Sequence, residues 1–374
     1  MTEILQGLFT TVLFFVVLGS LVLVHELGHF VTARMAGVRV LEFGIGFPPR
    51  AKILRARGET LYTLNWLPIG GFVKLEGEDG DELDDPRSFG RAPLPIRIGI
   101  LLAGVFMNLI TALVIFTAIA WLATPLVGVR FGEVQPDSPA EQAGLVEGES
   151  ILGVNGRTYE FFGEASVLTD LRDAIGETVT LAVQGVDGAT REVTVTLRTQ
   201  SEVDASVDEE GVPQKGPLGI TAFESNFYGT YTGRDFGSAV SIGASETFRW
   251  FGLILAGLGE LVGGFVSDPT APPPVAGPIG IATQIGEIFF AAGPILTLYV
   301  AAILSANLAL VNALPFPPLD GGRIVVILLK SVLGARVSLR AERLTYLVGF
   351  VFLFAFLIWV TGFDLARLFG GGGT

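Results

Sequence analysis

Residues 4–24 form an apolar run without a single charge, long enough for a helix to cross a bilayer. Three more stretches have that length and character: residues 96–122, 294–314 and 344–360. Residues 247–266 are patterned differently. Phe248, Phe251, Leu255, Leu258, Val262 and Phe265 recur every three or four positions, and Arg249 and Glu260 interrupt them. That stripe predicts a helix lying on a membrane surface or packed beneath an outer domain, not a span.

Two polar regions alternate instead. Residues 38–47 and 60–75 show short period-two stretches broken by Gly44, Gly46, Pro48, Pro49, Gly70 and Gly71, which reads as hairpins. Between the second and third spans, alternation at residues 179–183 and 193–197 predicts strands, and Ser138 followed by Pro139 is a helix start. Residues 216–220 are read as a closing strand, reached through an acidic linker at 201–211.

Composition agrees with a multi-pass α-helical membrane protein of about four spans. Half the residues are hydrophobic, 16% are charged and mean hydropathy is +0.59. Cysteine is absent, so there is no disulfide framework. The N-terminus lacks the basic start and cleavage site of a removed leader, so the first run is expected to be retained. Ten of the 24 basic residues fall between 34 and 97 and five between 323 and 343, while residues 1–33 hold none. The positive-inside rule makes those two loops cytoplasmic. Residues 124–284 carry 22 acidic against 8 basic side chains and account for the net charge of −13. With no basic surface, nucleic acid is not a partner.

The chain therefore divides into a first transmembrane helix (1–33), a cytoplasmic, membrane-associated β-hairpin loop (34–95) and a second transmembrane helix (96–123). An extracytoplasmic α+β domain (124–222) and an extracytoplasmic linker with an amphipathic helix (223–290) follow. A third transmembrane helix (291–330) and a fourth with the C-terminus (331–374) complete it. Residues 76–85 hold seven acids and read as a solvated, mobile segment without assigned function.

The chemistry concentrates at the end of the first run, in His25-Glu26-Leu27-Gly28-His29, which holds the only two histidines. Histidines four apart share one helix face and can bind one metal ion. The glutamate beside the first can then take a proton from a metal-bound water. An ionisable cluster at membrane depth is costly and points to function. Without cysteine, a zinc ion would be held by nitrogen and oxygen. The third apolar stretch closes on Asn312-Ala-Leu-Pro-Phe-Pro-Pro-Leu-Asp320-Gly-Gly-Arg323, the pattern of a broken helix around one aspartate. Asp320 reads either as a helix cap or as a third ligand that completes an open tetrahedral site. The ligand reading needs the third span to run in the same direction as the first, which an extra crossing by 247–266 would prevent.

These motifs, with Ala103-Gly104-Val105-Phe106-Met107-Asn108 in the second span, resemble the site-2 protease family of intramembrane zinc metalloproteases. The likeness is nearest to the bacterial regulators of sigma-E-type proteolysis and covers nearly the whole chain. Val105 stands where the family motif usually has proline. The resemblance implies zinc on His25, His29 and Asp320, Glu26 as general base, and Asn312 and Asn108 along the substrate site. It also implies a β-loop that offers an edge strand to an unwound substrate, with Gly70 and Gly71 as substrate-binding positions. Residues 129–198 resemble a PDZ domain, whose groove either captures a chain end as an added strand or serves only as a size filter. The expected substrate is a single-pass membrane protein, such as an anti-sigma factor already trimmed outside. The expected location is the bacterial inner membrane, PDZ domain outside and active site near the cytoplasmic face. The segment at 272–280, with its Gly-Pro-Ile, has a structural role by the same resemblance. Two other classes are a catalytically silent PDZ scaffold and a metal-ion transporter, although a transporter would show paired broken helices, and only one break is clear.

Overall fold

A computed structural model describes residues 2–56, 58–78, 85–205, 215–268, 271–334 and 338–369. The chain separates into two compact units, residues 118–239 and the remainder on either side of them.

The first unit is helical, with one small sheet. Its helices are α1 (Thr2–Met35), α2 (Leu94–Leu122), α6 (Phe236–Ser267), α7 (Pro278–Ala313), α8 (Asp320–Leu333) and α9 (Leu339–Phe369). Helices α1, α2, α6, α7 and α9 are each long and apolar enough to cross a membrane. The four stretches expected to span fall on α1, α2, α7 and α9, and α6 is the least apolar of the five. Helix α2 runs unbroken through Val105. Helix α7 begins well before the expected boundary at 291 and is kinked at Gly293, whose φ is 79°, followed by Pro294.

Helices α1 and α7 lie side by side and run in the same direction. Phe9 meets Phe289 near their N-terminal ends, with ring centroids 4.8 Å apart. The Gly-Pro-Ile segment is tied to α9. Buried Asp364 of α9 accepts hydrogen bonds from the backbone N–H groups of Gly277 and Gly280, at 3.1 and 2.9 Å. A carboxylate there satisfies orphan donors at the start of α7 and complements its dipole.

Helix α6 touches three others. Gly243 packs on Thr117 of α2, Arg249 and Trp250 donate to the Tyr299 hydroxyl of α7 at 2.8 and 3.0 Å, and Phe265 meets Trp359 of α9. Tyr299 donates in turn to Glu246 at 2.7 Å, so the polar residues of this apolar layer are paired.

The loop after α1 carries two long strands, β1 (Val40–Arg55) and β2 (Leu61–Leu75), each bent so that the pair meets in three blocks. Residues 40–45 of β1 pair with 71–75 of β2 on one side and residues 42–45 with 61–64 on the other, while residues 50–55 pair with 62–65. Gly46, Pro48 and Pro49 of β1 and Gly70 of β2 lie between those blocks, where each strand changes partner. The hairpin packs on α1: Phe43 meets Phe30, and Gly70, with φ at 68°, lies directly against Val22. Ala33, Val38, Val40, Leu75, Phe89, Ile100, Leu101 and Ile327 form the core beneath it.

The acidic run that follows is not simply solvated. Glu76 is buried against Arg39, Glu78 pairs with Arg323 at 2.6 Å, and Asp85 pairs with Arg39. Residues 79–84 lie outside the described residues.

The second unit has a sheet in the order β7-β6-β4-β3-β8, with β5 paired to β4. The strands are β3 (Thr124–Val134), β4 (Ser150–Val154), β5 (Arg157–Thr158), β6 (Thr178–Gln184), β7 (Thr190–Thr196) and β8 (Ile220–Thr232). Short helices α3 (Pro139–Gln142), α4 (Val167–Asp173) and α5 (Gln200–Asp204) complete it. Ser138 caps α3 through its hydroxyl, with Pro139 in the first turn as expected, and Phe131, Ile151, Val179, Leu181 and Val183 form a fully buried core. The closing strand starts at Ile220, not at Gly216, and continues to Thr232, past the boundary expected at 222. It does so because residues 220–232 find partners along the whole of β3. Part of the acidic linker, residues 206–214, lies outside the described residues.

Candidate metal centre

His25 and His29 sit one turn apart on the buried face of α1, in the half of the helix nearest the hairpin. Asp320 opens α8, delivered there by the Leu314–Leu319 break that follows α7. All three are buried, at 6%, 7% and 9% exposure, and their ligand atoms lie within 4.8 Å of one another. His25 Nε2 is 2.9 Å from Asp320 Oδ2 and 3.1 Å from His29 Nε2, and His29 Nε2 is 3.3 Å from the same Asp320 oxygen.

These spacings suit zinc. An ion holding tetrahedral ligands at about 2.1 Å separates them by roughly 3.4 Å, close to the three distances observed. The donor set is of the right kind, two imidazole nitrogens and one carboxylate oxygen. The second nitrogen of His29 is engaged away from the centre, with Nδ1 2.7 Å from the Ile100 carbonyl, so Nε2 is the nitrogen turned inward.

A cavity of about 150 Å³ opens beside the triad, and Glu26, His29 and Asp320 share its wall with Gly71, Phe72 and Val73 of β2. Of the residues predicted from sequence, His25, His29, Glu26, Asp320 and Gly71 come together here. Gly70 does not line the cavity, since its place is against Val22, where only a glycine permits the approach. Asn312 lies partly exposed in the last turn of α7 and is not on the cavity wall. Asn108 is not on the cavity wall either: it is fully buried, and its side-chain amide lies 3.4 Å from His25 Nδ1.

Other residues emerge only in three dimensions. A Cβ at Gly104 would lie 2.5 Å from His29 Nε2 and 2.7 Å from His25 Nε2, so α2 can reach the imidazoles only because that position is bare. Gly28 is bare for the reciprocal reason, with Ala103 of α2 directly against it. Small residues facing each other across two apolar helices were the available signal. Arg323 and Glu78 also border the cavity as an ion pair, and no local pattern joins them.

The family model described as peptidase family M50 matches residues 13–356. The zinc metalloprotease RasP of Geobacillus kaustophilus is 28% identical over 99% of this chain and 100% of its own length. A protein of the same name from Oceanobacillus iheyensis is 27% identical over 96% of this chain and 99% of its own. The regulator of sigma-W protease RasP of Bacillus subtilis is 28% identical over 96% and 99%.

Proposed function

The chain belongs to peptidase family M50, a zinc metalloprotease by that membership, and from this premise we propose that it cuts a peptide bond within the membrane-spanning segment of single-pass membrane proteins. The observation that carries the reading is the burial of two histidines and an aspartate, 295 positions apart, around one point inside an apolar helical bundle.

In this reading His25, His29 and Asp320 hold the zinc. A zinc ion held there would supply the Lewis acidity that lowers the pKa of a water and polarises the scissile carbonyl. Glu26, on the cavity wall beside the ligands, accepts the proton of the attacking water and hands it to the leaving amine. A helical substrate hides its peptide bonds, so it must be unwound first. The Gly71–Val73 stretch of β2 lies along the cavity and is placed to pair with the extended chain, and the absent side chain of Gly71 lets β2 sit close against Gly44 and Leu23 beside Glu26.

Orientation follows from the same layout. Helices α1, α2, α7 and α9 cross the inner membrane, and the basic loops place the metal centre near its cytoplasmic side. Helix α6 meets Thr117 of α2, Tyr299 of α7 and Trp359 of α9 in turn along its length. A helix that crosses three neighbours in turn, between the outer end of α2 and an α7 that runs parallel to α1, favours α6 as the surface helix.

The second unit is read as an extracytoplasmic PDZ domain. A groove of about 200 Å³ runs between Leu168 and Leu171 of α4 and residues 216–223, on the sheet's terminal strand β8. The carbonyls of Pro217, Leu218 and Gly219 accept from Arg198, Ala140 and Gln135. A trans peptide turns each N–H away from its own carbonyl, leaving the N–H groups of Leu218, Gly219 and Ile220 facing outward. Such a row suits a chain-terminal carboxylate, and the apolar lining suits an apolar last side chain. The groove favours recruitment over bulk filtering. Leu168→Asp is then expected to reduce cleavage of a full-length substrate by on the order of tenfold while sparing one already trimmed outside. A rise in full-length cleavage would show a size filter instead.

Purified protein in detergent should hold about one zinc per chain and cut a single-pass model substrate inside its span. Chelation should abolish cleavage, and added zinc should restore it. Cleavage that persists in the His29→Ala variant would remove the proposed centre.

A further inference from the structure

We infer that Asn108 is a positioning residue for the metal centre, whose side-chain oxygen accepts the Nδ1 proton of His25. The inference rests on His25 being a zinc ligand. A histidine that binds through Nε2 carries its remaining proton on Nδ1, and that N–H needs an acceptor to fix the ring. His29 has one in the Ile100 carbonyl, supplied by the backbone of α2. His25 Nδ1 faces the side-chain amide of Asn108, one turn beyond Gly104 on the same helix.

Three observations place the amide oxygen against that nitrogen. Asn108 is at 0% exposure, so water is not the partner. Its Oδ1 is buried without a hydrogen-bond partner, while Nδ2 lies 3.4 Å from His25 Nδ1. Amide oxygen and nitrogen exchange places by a half turn about one bond, and only the oxygen can accept from a ring N–H. The turn gives the orphaned oxygen its donor and gives His25 the support that His29 already has. The residue is also held from outside: Ser305 of α7 donates its hydroxyl to the Asn108 carbonyl at 2.8 Å. Helix α2 thus serves both imidazoles, one through a main-chain and one through a side-chain oxygen.

The chain has only two histidines, which makes a direct test practicable. Full-length protein labelled with ¹⁵N-histidine and loaded with zinc should show two Nε2 signals shifted by metal and two protonated Nδ1 signals. Asn108→Asp keeps an acceptor and makes it stronger, so one Nδ1–H signal should move downfield while the other, on Ile100, stays. Asn108→Leu has similar volume and no acceptor, and zinc affinity measured against a competing chelator should fall about 10- to 100-fold, with Asn108→Asp near the parent. The proposal is overturned if Asn108→Leu keeps the parent affinity, or if Asn108→Asp leaves both Nδ1 signals in place. If the leucine variant does not fold, the aspartate spectrum decides. Absence of a metal-shifted His25 signal in the parent would instead remove the ligand reading beneath it.

Discussion

Glu26→Gln is expected to keep its zinc and lower cleavage by about 10³-fold, within the range that a positioned general base contributes. The amide matches the carboxylate in shape but cannot take a proton at neutral pH. In the proposed centre His25, His29 and Asp320 would supply all three protein ligand atoms, so metal content should stay near the parent value. Glu26 lines the cavity beside them, and the change leaves that wall occupied. Zinc analysis and a cleavage assay on the same preparation check both halves. A variant that loses zinc would make Glu26 a ligand, and one that still cuts at the parent rate would assign the proton transfer to another group.

Gly104→Ala should remove the metal and the activity together, although no ligand is touched. Its added methyl would occupy space 2.5–2.7 Å from both Nε2 atoms, closer than non-bonded atoms approach. Retreat of α2 would break the 2.7 Å contact between His29 Nδ1 and the Ile100 carbonyl and disturb the Ser305 hydrogen bond to Asn108 from α7. Interiors packed this closely shift rather than compress, and here the shift falls on the ligand geometry. Zinc retention should drop more than tenfold, on the scale seen when the supports of metal ligands are lost. Gly99→Ala is the matched control, since a Cβ there meets nothing within 4 Å on the same helix. If Gly104→Ala held zinc as well as Gly99→Ala, the close approach of α2 to the imidazoles would be wrong.

Much of the architecture was readable from local pattern. The four stretches read as spans fall on helices α1, α2, α7 and α9, because a twenty-residue apolar run has few other solutions. Ser138 and Pro139 begin α3 because a cap is a contact between residues a few positions apart. The alternating stretches of the first loop are strands, but which blocks of β1 and β2 meet, with residues 42–45 between 61–64 and 71–74, was not legible, because strand pairing joins distant positions. The end of the second unit was misplaced for a related reason. Residues 223–232 become strand by pairing with β3, which lies some hundred residues earlier in the chain.

The site divides along the same line. Sequence by itself determined that His25 and His29 share a helix face with Glu26 beside them, because helical periodicity is a property of neighbours. The broken-helix motif raised Asp320 as a ligand, but only the parallel course of α1 and α7 brings its carboxylate to 2.9 Å from His25. Tertiary structure alone decided that Asn108 turns to His25 and not to the cavity, and that Gly104 must be bare. It alone paired Glu78, read as part of a solvated acidic segment, with Arg323 at the cavity's edge. Each of these depends on which residues of distant segments face each other across a packed interface, a relation that spacing along one segment does not contain.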